Sequence, residues 1–94
     1  MEIVLKDDGS KGFALARDND TRAGMMTYSI AGPSLIIIDH TEVEPLYNGK
    51  SLGKQMLYKI VEMARKNNLK IIPLCPFAAS IFKRAEDIRD VLKQ

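Results

Sequence analysis

Four branched aliphatic residues stand side by side at Leu35-Ile36-Ile37-Ile38. Side chains of a strand point alternately to its two faces, so an unbroken apolar run needs cover on both. "SLIIIDHTEV", 34–43, is therefore predicted to be a central strand. Beyond it, Leu52, Met56, Leu57, Ile60, Val61, Met63 and Ala64 recur at helical spacing, with Lys54, Gln55, Lys59, Glu62 and Arg65 on the other side. Asn67-Asn68 suits a left-handed helix stop. "LKIIPLCPF", 69–77, then reads as a strand containing two prolines. Leu35 to Cys75 thus forms a right-handed crossover unit whose strands are parallel.

Upstream, "EIVLKDDG", "KGFALARD" and "RAGMMTYSIAG" read as three strands closed by turn residues. Their connections are short, which permits an antiparallel meander. Downstream, "AASIFKRAEDIRDVLKQ" is amphipathic and helical, with a break near Ala85. The expected fold class is mixed α/β (α+β): antiparallel N-terminal strands, a β-α-β unit and a C-terminal helix. No repeat or linker divides the 94 residues, so one domain over 1–94 with a modest core is expected.

A net charge of +2 is small for a dedicated nucleic-acid surface, and aromatics interleaved with basic residues are missing. The longest apolar run is too short to cross a membrane, and the acidic N-terminus does not read as a signal peptide. Cys75 is the only cysteine and cannot form an internal disulfide. These features predict a cytoplasmic protein without nucleic-acid or membrane partners; no metal site is predicted.

"LYNGKSLGKQML", 46–57, opens the helix with two glycines, two lysines and a serine within six residues. Glycine inside a helix costs about 1 kcal/mol relative to alanine. At a helix start, however, the first backbone N–H groups have no internal partner and the helix dipole adds positive potential. Small residues let an anion approach them. Gly49, Ser51 and Gly53 are small, Lys50 and Lys54 can add charge at the rim, and Asn48 can sit at the boundary and tolerate an unusual backbone angle. Two readings stay open: a phosphate cradle, or a plain Asn48-Gly49 turn with Gly53 packed against a strand. The spacing matches neither G-x-x-x-x-G-K-[ST] nor G-x-G-x-x-G.

Proline cannot donate to a sheet ladder. Pro73 and Pro76 therefore predict that the last strand parts from its parallel neighbour towards its C-terminal end. Backbone groups of His40 to Val43 would then face a cleft, where a ligand bearing amides can pair like a strand. That cleft lies beyond the carboxyl ends of the parallel strands, at the end where the helix begins.

Together, Asn48-Gly49-Lys50-Ser51-Leu52-Gly53 resembles Gln/Arg-x-x-Gly-x-Gly/Ala, the acetyl-coenzyme A pyrophosphate motif of the GNAT acetyltransferases. "IDHTEVEPLYNGKSLGKQML" with "LKIIPLCPF" more closely resembles the minimal GNAT-like group, with its HT…G…G…CPF pattern, from about Ile38 to Phe82. Asn48 stands where that motif has Gln/Arg, and Ser51 where it has the first glycine. The chain is short for the family and lacks the helices that usually follow the first strand.

The resemblance implies an N-acetyltransferase that moves acetyl from acetyl-CoA to an amine acceptor of unidentified kind, or a non-catalytic module of the same fold that only holds the coenzyme. It places pyrophosphate on the backbone of Gly49, Ser51, Gly53 and Lys54, within the segment Asn48–Lys54 that includes Lys50 and Leu52. It places pantetheine along Thr41 and Val43, and Phe77 and Phe82 over the pantetheine or in the core. The Val43 N–H would polarise the thioester carbonyl. His40, the only histidine, is a candidate acid or base, or a structural residue. Cys75 is a candidate acid or nucleophile, or a small buried apolar residue.

Overall fold

The computed structural model describes residues 1–93. Its sheet has the order β1-β2-β3-β4-β5: β1 (Glu2–Asp7), β2 (Lys11–Asp18), β3 (Thr21–Ile30), β4 (Leu35–Val43) and β5 (Lys70–Pro73). The first three junctions are antiparallel and the β4–β5 junction is parallel, as the connection lengths require. Helix α1 (Leu52–Lys66) crosses from β4 to β5 and packs over β1 to β4. Helix α2 (Pro76–Arg84) and a 3₁₀ segment, Glu86–Val91, pack beside α1. No helix among the described residues is long and apolar enough to cross a membrane.

One face of the sheet is thus the core face. Met26, Tyr28, Ile36 and Ile38 of the sheet and Met56, Leu57 and Ile60 of α1 belong to one core cluster, and all are buried. Removing side chains of this size from water contributes about 1.5–3 kcal/mol each. Ala14 and Ala16 on β2 are small, which lets α1 approach. On the opposite face, Val4, Phe13, Leu15, Met25 and Ile37 are only half-buried.

The β4–β5 ladder runs from Leu35↔Lys70 to Ile38↔Pro73 and stops there. The N–H groups of Leu74 and Cys75 both donate to the Ile38 carbonyl, at 3.1 and 3.0 Å. β4 continues to Val43, paired on that stretch only with β3. The expected divergence is therefore present, but one of the two prolines acts otherwise. Pro76 is not in the strand. It is the first residue of α2, where a missing N–H costs nothing because that group would have no helical partner. The last helix accordingly starts before Ala78 and ends at Arg84. The break at Ala85 leads into the 3₁₀ segment rather than into more α-helix.

α1 is closed firmly at its C-terminal end. Asn68 takes the left-handed conformation (φ 57°), and the Leu69 N–H donates to the Ala64 carbonyl at 2.8 Å. Arg65 donates to both carboxylate oxygens of Asp90, at 2.9 and 2.7 Å, and to the Asp87 carbonyl.

A glycine-lined helix start beside a strand without its neighbour

After a 3₁₀ turn at Pro45–Tyr47, the chain must reverse to enter α1. Asn48 sits at the boundary but stays extended (φ −62°, ψ 144°), so its tolerance of an unusual angle is not used. Gly49 (φ 83°) and Ser51 (φ 59°) make the reversal instead. A left-handed conformation costs a residue with a β-carbon about 1–2 kcal/mol. That is the physical reason for a glycine at the Ser51 position in the motif.

Ser51 is the N-cap residue of α1, yet its hydroxyl caps nothing. The first turn-closing bond runs from the Gln55 N–H to the Ser51 carbonyl at 3.0 Å, and Gln55 Nε2 braces the loop through the Lys50 carbonyl. The N–H groups of Leu52, Gly53 and Lys54 have no acceptor among the described residues. No acidic side chain lies in the first turn, while Lys50 and Lys54 are exposed. Unpaired donors, a helix dipole and two cations are features that favour an anion at this point.

A groove of about 300 Å³ runs from these residues to the free stretch of β4, bringing Val43, Asn48, Gly49, Ser51, Leu52, Gly53 and Phe77 together. Gly53 packs against an aromatic ring and not against a strand. A β-carbon there would stand 2.0 Å from the Phe77 ring, which is 45% exposed. Phe82, by contrast, is in the core. Tyr47 is buried with its hydroxyl donating to Asp18 Oδ2 at 2.8 Å, which ties the loop before α1 to the end of β2. Donation to that carboxylate raises the Tyr47 pKa.

A bulge decides how β4 presents its polar residues. Thr27 pairs with His40 and Tyr28 with Ile38, so Asp39 is an extra residue. Simple alternation from Ile36 and Ile38 would carry His40 to the core face. The bulge carries Thr41 there instead, opposite buried Met26. Thr41 Oγ1 lies 3.2 Å from Sγ of Cys75, which is 6% exposed. His40 stands on the open face, 65% exposed, with Nε2 3.1 Å from Glu42 Oε1. Arg22 Nη2 holds the other oxygen of Glu42 at 3.0 Å. β4 therefore separates His40 from Cys75. The sequence reading missed Thr41 as the partner of Cys75 and the Glu42–Arg22 support of His40, because nothing local marks the bulge.

With this geometry in view, the comparisons are consistent with one another. A family model described as GCN5-related N-acetyl-transferase matches residues 12–91. A GCN5-like protein from Staphylococcus aureus is 33% identical, with a TM-score of 0.72 over 96% of this chain and 87% of that one. A ribosomal-protein-alanine N-acetyltransferase from Brucella melitensis is 17% identical, with a TM-score of 0.67 over 82% of this chain and 62% of the other. A Mycobacterium tuberculosis protein solved in complex with CoA is 16% identical, with a TM-score of 0.55 over 85% and 64% of the two chains. No functionally curated protein matches. The fold and the helix start define an acetyltransferase architecture. The chain belongs to the GCN5-related N-acetyltransferase family.

Proposed function

We propose that this chain, as a single domain over 1–94, transfers acetyl from acetyl-CoA to a primary amine by direct attack. The observation that carries this reading is the meeting of two sets of free backbone groups: the N–H donors of Leu52, Gly53 and Lys54, and the stretch of β4 from Asp39 to Val43 that lacks a β5 partner. The first suits a pyrophosphate and the second the amides of pantetheine. CoA in the M. tuberculosis complex supports the choice of ligand.

In this reading pyrophosphate rests on Gly49, Ser51, Gly53 and Lys54, pantetheine runs along Thr41 and Val43, and the Val43 N–H polarises the thioester carbonyl. The amine nitrogen bonds to the carbonyl carbon, and the carbon–sulfur bond breaks as the tetrahedral intermediate collapses. A fixed backbone donor to such an oxyanion is worth roughly 3–4 kcal/mol. His40, braced by Glu42, takes the amine proton on the open face, while Cys75 gives a proton to the departing thiolate on the other. The separation of the two side chains by β4 supports this division of roles over an acyl-cysteine route in which His40 activates Cys75.

The same separation is also what a coenzyme-binding module without turnover would tolerate. Calorimetric titration with acetyl-CoA, followed by release of free thiol when amines are added, distinguishes the two. Binding with thiol release establishes the transferase; binding without release across a panel of amines establishes the module. No binding at millimolar coenzyme overturns both.

A further inference from the structure

The two edges of the sheet differ. β5 is four residues long and ends in Pro73, and the C-terminal segment covers its outer side. Leu92 bridges to Ile71 there, and the Lys93 N–H donates to the Ile71 carbonyl at 2.9 Å. β1 is six residues long, has no proline, and pairs with β2 without a bulge. Its outer side has no neighbouring strand among the described residues. Folded proteins normally shield such an edge with a short strand, a proline, a bulge or a central charge. In β1 the charges lie towards the ends, leaving Ile3, Val4 and Leu5 between them. We propose that β1 pairs with β1 of a second copy of this chain, antiparallel about Val4, so that two sheets join into one. This inference does not depend on the coenzyme reading.

The backbone restricts the register. The Asp8 N–H donates to the Lys11 carbonyl at 3.0 Å, so these two form a hydrogen-bonded pair at the end of the β1–β2 hairpin. Bonded and non-bonded pairs alternate along an antiparallel ladder. Glu2, Val4 and Lys6 therefore bond inward to β2, while Ile3 and Leu5 turn their N–H and C=O groups to the outer edge. In a new antiparallel ladder, outward-turned residues must face outward-turned residues. Only registers centred on a residue satisfy this. Centred on Val4, Ile3 pairs with Leu5 of the second copy and Leu5 with its Ile3, which makes four backbone hydrogen bonds.

The same register matches the side chains. Glu2 stands opposite Lys6 of the second copy at each end of the ladder, and Val4 meets Val4 at the centre. Centring on Leu5 would instead set Val4 against Lys6 and Ile3 against Asp7, and centring on Ile3 would set Glu2 against Val4. Glu2 and Lys6 are exposed, and neither forms an ion pair within its own chain among the described residues. Four residues apart on one strand, they are separated by about 13 Å and cannot meet each other. Pairing with a second copy gives each its opposite charge.

On the α1 side, a groove of about 570 Å³ runs along this edge, with Ile3, Leu5 and Met63 among its lining. All three are only partly buried against the core. Ile3 and Leu5 of the second copy extend this apolar floor, and the unbranched Met63 side chain can settle over them. The contact is self-complementary about a twofold axis and occupies the open edge of both copies. With the β5 edge covered in each, assembly stops at two.

Sedimentation equilibrium tests this, with the 10.5 kDa monomer as reference. One short strand and a groove make a small interface, so the wild type should dimerise with a Kd between about 1 μM and 1 mM. Glu2→Lys and Lys6→Glu each set like charges opposite one another at both ends of the ladder, and each should weaken the dimer about tenfold. The double variant Glu2→Lys/Lys6→Glu restores opposite charges and should regain the wild-type Kd. The two single variants, mixed, should pair with each other more tightly than either pairs with itself. Both side chains are exposed, so all three variants should unfold within a few degrees of wild type. A wild type that stays monomeric at about 1 mM overturns the proposal. So does a dimer that the single variants leave unchanged, or one that the double variant does not restore.

Discussion

Two glycines in this chain carry an aromatic ring against the α-carbon, and the two rings have opposite surroundings. At Gly12 a β-carbon would lie 2.4 Å from the ring of Tyr28, which is 1% exposed and sealed into the core. At Gly53 it would lie 2.0 Å from the ring of Phe77, which is 45% exposed at the mouth of the helix-start groove. The local device is the same, but its consequence depends on whether the ring can move. Tyr28 is almost wholly buried as part of the core cluster, so Gly12 belongs to stability. Phe77 borders solvent and the first turn of α1, so Gly53 in the proposed reading serves the ligand.

The largest effect expected from breaking this contrast is that of Gly53→Glu. A carboxylate beside the free N–H groups of α1 sets like charge against a bound pyrophosphate, a cost of several kcal/mol. Acetyl-CoA affinity should fall more than about a hundredfold by calorimetry, with folding retained by circular dichroism. Retained affinity would sink the site assignment. Gly12→Ala is next and acts on the other property. It forces a buried ring aside at about 1–3 kcal/mol, lowering the unfolding midpoint by about 4–8 °C for each kcal/mol while coenzyme affinity of the folded protein holds. Gly53→Ala sharpens the comparison, since its methyl meets a ring free to swing outward. Its unfolding midpoint should stay within a few degrees of wild type, and a loss as large as that of Gly12→Ala would show that Phe77 is held as tightly as Tyr28.

Ser51→Gly tests the backbone of the cradle. It relieves a left-handed residue with a β-carbon, so stability should rise by less than about 1 kcal/mol, with the gain in conformational freedom of the unfolded chain opposing the relief. Denaturant midpoints check this, and a fall would contradict the strained conformation.

The smallest effect lies at the far end of α1. The hydrogen bond from Arg65 holds Asp90 below its ordinary value of 3.8. A carboxyl depressed on folding adds stability above its unfolded pKa and loses it as pH falls through the folded value. Asp90→Asn should therefore be less stable than wild type at neutral pH, and the difference should close as pH falls below 3.8. Urea midpoints across that range check it, and a difference that persists unchanged in acid would rule out the Arg65–Asp90 pair as its source.

Much of the site's framework was legible before the structure. Gly49, Ser51 and Gly53 marked a helix start that anions can approach, and Pro73 marked the end of the ladder with Ile38. Both depend on what a residue does to its own backbone: a small or missing side chain, or a missing N–H. Three features were not legible. The break in alternation at Asp39 sends His40 to the open face, but its cause is the pairing of β3 with β4. The Thr41–Cys75 contact joins residues 34 positions apart. Pro76 stands three residues after Pro73 with the same chemistry, yet its place at the start of α2 follows from packing against α1.

The sequence by itself determined the order of strands and helices, the parallel crossover and the location of the glycine-lined turn, because periodicity and backbone restriction act between neighbours in the chain. The tertiary structure alone decided which face His40 and Cys75 occupy, which ring covers Gly53 and which side chain caps the end of α2. Those outcomes depend on what stands opposite each residue in space, and a β-bulge or a capping arginine from another segment changes that without leaving a local mark.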